Sequence, residues 1–257
     1  MNILLVEPAY YTRYPPLGLM KLASRHKVWN HKVRLVRGTV PLDDFIPDRI
    51  DITSLFTYAW RPVHDAIKHY HSLFPNAKIS VGGIYASVMP ERLREAFPYV
   101  DVHVGLNDEA ERYMPDYDIL DQVDKWKGWD GSIMFTSRGC VNKCPFCLVP
   151  ILEGGMRSVL DDPLSHMHPH HKRIILWDNN FLALKDWKDR VDSLRRSGMT
   201  IDFNQGLDAR LMTAEKAEAL TSLKIDSIKM AYDGKHEKKA VHRAVELLED
   251  AGFSRRK

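Results

Sequence analysis

The sequence predicts an α/β protein built from two successive parallel-sheet regions. Three observations predict it. Short apolar runs alternate with helical patterns through residues 1–115. A polar stretch carrying Trp126 and Trp129 interrupts the pattern at 116–131. A longer strand–helix repeat then fills 132–257, and its strands end in polar clusters. Alternation of this kind implies parallel strands joined by crossover helices.

In the first region the predicted strands are Ile3–Val6, Val33–Arg37, Ile50–Phe56, Ile79–Val81 and Val100–Val104. Helical patterns cover Leu17–Val28, Pro62–Phe74 and Glu91–Phe97. The expected architecture is an open Rossmann-like or flavodoxin-like sheet. Ligands of such sheets sit at the carboxyl ends of the strands. The corresponding loops are residues 7–11, 53–58 and 82–85. Gly82 and Gly83 would allow close approach of a ligand to the backbone, or serve a tight strand-to-helix turn.

Residues 116–131 read as a linker, punctuated by proline and glycine at its ends. Beyond it, the predicted strands are Ser132–Thr136, Arg173–Trp177, Thr200–Phe203 and Ser227–Ala231. Helices are expected at Leu184–Arg196, Ala214–Leu223 and Glu237–Ala251, with Thr213 as the N-cap of the second. This region is expected to form part of a (β/α) barrel, whose strand ends share the rim where active sites are built. On that rim fall Asp178 to Asn180, Asn204 and Gln205, and Asp233.

All three cysteines of the chain lie on that rim too, within one loop: Cys140, Cys144 and Cys147. Thiolates are the preferred ligands of iron–sulfur clusters and zinc. Three ligands are one short of four. A Cys3His zinc site would draw on His166, His168, His170 or His171.

The spacing C-x3-C-x2-C, with Phe146 just before the last cysteine, resembles the signature of the radical S-adenosylmethionine (SAM) superfamily. The resemblance implies that Cys140, Cys144 and Cys147 hold three irons of a [4Fe–4S] cluster, with SAM chelating the fourth. Phe146 would lie against the adenine. Asp178 and Asn179 occupy the place that meets the amino group of SAM. Asp208 to Arg210 match a stretch whose arginine approaches the SAM carboxylate. Asn204, Gln205 and Asp233 would face SAM or substrate. The N-terminal motifs, Pro15 to Leu19, Val81 to Ser87 and Asp101 to Gly105, look like the domain of cobalamin-binding members. Cobalamin is therefore a further cofactor that residues 1–115 could hold, although the cobalt-ligating Asp-x-His-x-x-Gly is absent.

The remaining bounds come from composition. A hydrophobic fraction of 44% and a charged fraction of 28% describe a globular chain. No apolar run approaches the roughly 20 residues of a membrane span. With no signal peptide pattern and three close thiols, a cytoplasmic location is expected. A net charge of +3 gives no indication of nucleic acid. The expected partners are an external electron donor of flavodoxin or ferredoxin type, and a second chain or copy completing a barrel whose fifth strand would begin after Gly252. The competing expectation is a non-catalytic iron–sulfur or zinc-binding interaction protein.

Overall fold

A computed structural model describes residues 1–160 and 162–254. It divides into two compact units, Met1–Trp129 and Asp130–Lys257. The final residues 255–257 lie outside the described ones, so the expected start of a fifth strand is only partly covered.

The first unit runs β1 (Asn2–Glu7), α1 (Leu17–Val28), β2 (Lys32–Arg37), β3 (Arg49–Ser54), α2 (Trp60–Leu73), β4 (Lys78–Gly83), α3 (Ile84–Val88), α4 (Pro90–Ala96), β5 (Asp101–Val102) and α5 (Asp108–Glu111). Its sheet is parallel throughout, in the order β2-β1-β3-β4-β5. Period-two alternation splits β1 between two cores. Leu4 and Val6 pack with Ile50, Ile52, Ile79 and Val81 and with Val63, Ile67 and Tyr70 of α2. Ile3 and Leu5 pack with Leu19, Met20 and Ala23 of α1.

That second core also holds Tyr117, Ile119, Leu120, Val123 and Trp126. These residues fall in the stretch read as a linker. Two short 3-10 turns, Asp118–Gln122 and Asp124–Trp126, carry Ile119, Leu120 and Trp126, and Tyr117 and Val123 flank the first of them. Their apolar spacing covers a sheet face that α1 alone leaves open. Trp126 Nε1 donates to the buried Glu7 carboxylate at 2.6 Å.

Gly82 and Gly83 belong to β4 rather than to a loop. Gly83 has φ +108°, and a Cβ there would stand 2.3 Å from the Ser54 carbonyl oxygen. The glycine is required by the close approach of β3's own backbone. Helix α3 directly follows it, in a stretch with no expected helix. The predicted strand at 50–56 stops at Ser54, and that at 100–104 shrinks to two residues.

The second unit contains β6 (Gly131–Met134), β7 (Ser137–Arg138), α6 (Val149–Leu152), β8 (Arg157–Ser158), β9 (Arg173–Leu176), α7 (Trp187–Ser197), β10 (Thr200–Phe203), α8 (Ala214–Thr221), β11 (Lys224–Ile225) and α9 (Lys238–Asp250). Four strands form a parallel sheet in the order β11-β10-β9-β6. Met134, Ile174, Leu176, Ile201 and Phe203 pack with Val191 and Leu194 of α7, Leu220 of α8, and Ala244 and Leu248 of α9. This arrangement is compatible with a Rossmann-like sheet or part of a barrel. Thr213 caps α8 as expected, accepting from Lys216 N at 3.2 Å.

The fourth strand is displaced from its expected position. Pairing with β10 falls on Lys224 and Ile225, not on 227–231. Only Met230 of the expected run makes a bridge, to Leu207. Helix α8 ends at Thr221, so the chain meets β10's edge sooner than the apolar run suggested.

Candidate functional site

The cysteine loop leaves the sheet after β6 and returns before β9. Its neck is closed by the antiparallel pair β7–β8, with Ser137 opposite Ser158 and Arg138 opposite Arg157. At the neck Gly139 has φ +77°, and a Cβ there would stand 2.3 Å from the Gly155 carbonyl oxygen. The two arms of the loop therefore cross too closely for any side chain at this position.

Glu153 ties the neck together. Its Oε2 accepts from Gly139 N and from Asn179 Nδ2, each at 2.8 Å. Its Oε1 meets Arg138 Nη1 at 3.0 Å. One carboxylate thus joins both arms of the loop to the end of β9. Asn179 is thereby held from below while still lining the cleft described next.

A cleft of about 260 Å³ opens at the carboxyl ends of the strands. Cys140, Cys144 and Cys147 all line it and are all half-buried. So do Phe146, Asn179, Gln205, Arg210 and Asp233. Phe146 is 69% exposed, so its ring face is open. Eight of the ten residues singled out from the sequence thus share one cleft, although they come from four separate stretches of chain.

Two do not. Asp178 is buried, and its carboxylate is consumed by the backbone and hydroxyls of the next strand end. Oδ1 accepts from Thr136 Oγ1, Ser137 N and Ser137 Oγ, each at 2.6 Å, and Oδ2 from Thr136 N at 3.1 Å. Burial pushes its pKa up, against those hydrogen bonds. Asp178 holds the turn that launches the cysteine loop; it does not face the cleft. Asn204 also lies outside the lining; its backbone N–H continues the sheet ladder to the Leu176 carbonyl at 3.0 Å.

Sequence reasoning gave no separate role to the residues that organise the cleft. Asp208 is the hub. Its Oδ2 accepts from Asn142 Nδ2 at 2.8 Å, Asn180 Nδ2 at 3.1 Å and Arg210 Nη2 at 2.8 Å. Its Oδ1 accepts from Arg210 Nε at 2.8 Å and Arg210 N at 3.1 Å. Burial raises the carboxyl's pKa, but the bonds from Arg210 and Asn142 together outweigh it and hold the group below the usual range. The same pairing with Asp208 raises the pKa of Arg210. Glu237, at the foot of α9, stands 3.8 Å from Arg210 Nη1 and accepts from Asp233 N at 2.8 Å.

The bidentate face of Arg210 is therefore already engaged. The resemblance implied that Arg210 would approach a ligand carboxylate. In the structure it grips Asp208, and Nη1 points elsewhere, toward Glu237. Asp208 stands two residues before Arg210 in the sequence, and Asn180 directly after Asn179. A signal for both existed in the polar strand ends, but which member of each cluster faces inward depends on strand register. Nothing in the sequence marked Glu153.

His166, His168, His170 and His171 are all absent from the cleft lining. His171 and His166 are buried in their own right. Ser132 Oγ accepts from His168 N at 2.9 Å and lies 2.9 Å from His171 Nδ1. Burial, aided by His168, lowers the His171 pKa to about 4. Among the described residues, no three His, Cys, Asp or Glu side chains converge on one ion-sized point. No helix among them is long and apolar enough to cross a membrane.

No family model matches the chain. It is 32% identical over 152 residues to the tRNA-2-methylthio-N(6)-dimethylallyladenosine synthase of two strains of Acidithiobacillus ferrooxidans. The match covers 49% of this chain and 32% of each relative, so the chain spans about a third of their length. The match supports the radical SAM superfamily. The match does not show the cobalamin-binding subgroup.

Proposed function

We propose that the second unit binds a [4Fe–4S] cluster through Cys140, Cys144 and Cys147 and uses it with SAM to start radical chemistry. The observation that carries this reading is the single cleft at the strand ends, lined by all three thiols and a ring of polar side chains. The donor set fits. Three thiolates suit three irons, the chain has no fourth cysteine, and the histidines that a zinc site would need lie away from the cleft. When bound, the reduced cluster supplies the electron that splits the C5′–S bond of SAM into methionine and a 5′-deoxyadenosyl radical. The electron comes from an external low-potential donor of flavodoxin or ferredoxin type.

The chain's own residues then have separable tasks. Gly139, Glu153 and Asp178 hold the neck and launch angle of the loop. The exposed ring of Phe146 offers a face to the adenine. Asn179, Gln205 and Asp233 offer polar contacts to SAM or to substrate. Arg210, with Nε and Nη2 on Asp208, reaches a SAM carboxylate through Nη1 rather than through its two-pronged face. Gly83 is taken up by the close approach of the Ser54 backbone, so it lends cobalamin no support.

The test is anaerobic reconstitution with iron and sulfide, then reductant and SAM. 5′-Deoxyadenosine should form and should vanish in Cys144→Ala. A colourless, zinc-loaded protein without four irons would refute the reading. A loaded cluster that never cleaves SAM would favour a non-catalytic cluster-binding role.

A further inference from the structure

We propose that Asn180 is a positioning residue for the cluster's electronics, donating a side-chain N–H to the Cys140 sulfur so that the cluster is easier to reduce. The inference rests on the cluster reading above.

Asn180 is 2% exposed, at the cleft wall just after β9. Its Nδ2 lies 3.1 Å from Asp208 Oδ2 and 3.8 Å from Cys140 Sγ. The second distance is long for oxygen but within reach of sulfur, whose radius is larger. The orientation of an amide is ordinarily inferred from its neighbours. Here both neighbours are acceptors: a carboxylate, and a sulfur that is thiolate when it holds iron. Turning the amide over would set its oxygen against two negative groups. The observed orientation leaves Asn180 Oδ1 buried without a hydrogen-bond partner. A buried acceptor left unpaired is unfavourable, so the two donor contacts are what hold the amide this way.

Asp208 fixes the aim. It also holds Asn142 Nδ2, and the Asn142 backbone N–H lies 3.4 Å from the same Cys140 Sγ. One carboxylate thus steadies two N–H groups directed at one sulfur. Adding an electron to a cluster increases the negative charge on its sulfurs. An N–H donor to a ligating sulfur stabilises that state more than the oxidised one, and so raises the potential. The electron in the test comes from dithionite, one per cluster.

The experiment compares wild-type protein with Asn180→Ala, each reconstituted and checked for four irons per chain. Redox titration followed by electron paramagnetic resonance should place the variant lower. At a fixed solution potential its reduced-to-oxidised ratio should fall about threefold, a shift of about 28 mV for one electron. An unchanged or higher potential in a fully loaded variant overturns the inference. A second measurement needs no variant. Wild-type protein labelled with [amide-15N]asparagine should show a 15N coupling to the reduced cluster by electron–nuclear double resonance, and its absence also overturns the inference. Failure of the wild-type chain to load four irons would instead sink the cluster reading on which this rests.

Discussion

Replacing Asp178 separates two roles that the sequence could not tell apart. Asp178 and Asn179 are neighbours at one strand end, yet the structure buries one and opens the other to the cleft. Asp178→Ala would strand two backbone N–H groups, those of Thr136 and Ser137. The Thr136 and Ser137 hydroxyls can turn to other acceptors; the amides cannot. At about 1–3 kcal/mol for each buried unpaired donor, the cost is about 4 kcal/mol. Asp178→Asn keeps one acceptor oxygen but sets an NH2 against a donor. It also avoids burying a charge, a penalty that already raises the Asp178 pKa. The two effects oppose, and the expected cost is about 2 kcal/mol. Asn179→Ala loses one hydrogen bond to Glu153 and should cost below about 1 kcal/mol. Denaturant unfolding of the metal-free protein, followed by circular dichroism, gives all three values. SAM affinity of the reconstituted proteins supplies the second axis, and Asn179→Ala should show the weaker binding per kcal/mol lost. A stable Asp178→Asn protein that loads its cluster but fails to bind SAM would refute the reasoning, because it would put Asp178 in the cleft.

Other outcomes follow from the same geometry. Glu153→Ala removes the carboxylate shared by Arg138, Gly139 and Asn179; it should destabilise the second unit by about 2–3 kcal/mol and slow cluster loading, measured by absorbance near ~400 nm. Gly83→Ala should cost more than about 3 kcal/mol, since both φ and the Ser54 carbonyl forbid a Cβ. Gly18→Ala, in α1 with open space around it, should instead stabilise by up to about 0.5–1 kcal/mol; thermal melts of the two variants must move in opposite directions. His171 is buried neutral with a pKa near 4, below the unfolded value of about 6.5. Its folded pKa is lowered, so the unfolded chain binds the proton first. Stability is full above pH 6.5 and falls between about 6.5 and 4, by about 1–3 kcal/mol. His171→Gln should flatten that part of the stability–pH curve.

Much of the secondary structure was legible because each signal was local. Leu17–Val28 and Thr200–Phe203 coincide with their predicted bounds, since apolar periodicity and flanking breakers act within a few residues. Asn179, Gln205 and Asp233 were singled out because polar clusters at strand ends are visible as breaks in apolar runs, and Arg210 because of the family resemblance. Misplacements came from pairing. Residues 227–231 are apolar enough for a strand, but β10 had already met Lys224 and Ile225. Residues 117–126 are polar enough for a linker, yet five of these ten side chains, Tyr117, Ile119, Leu120, Val123 and Trp126, fill a sheet face.

By itself, then, the sequence determined the alternating α/β pattern, the two-region organisation and the three-thiol loop, because these depend on composition and on spacing along the chain. Only the tertiary structure decided which of two adjacent polar residues faces the cleft, because one residue of register turns a side chain to the opposite face of a strand. It also decided that Asp208, rather than a ligand, takes the two-pronged face of Arg210, and that Asn180 meets Cys140. Asp208 and Arg210 are two positions apart, but the contacts that seat Asp208 and Asn180 at the cleft join residues 28 to 66 positions apart, and no local rule of spacing reaches that far.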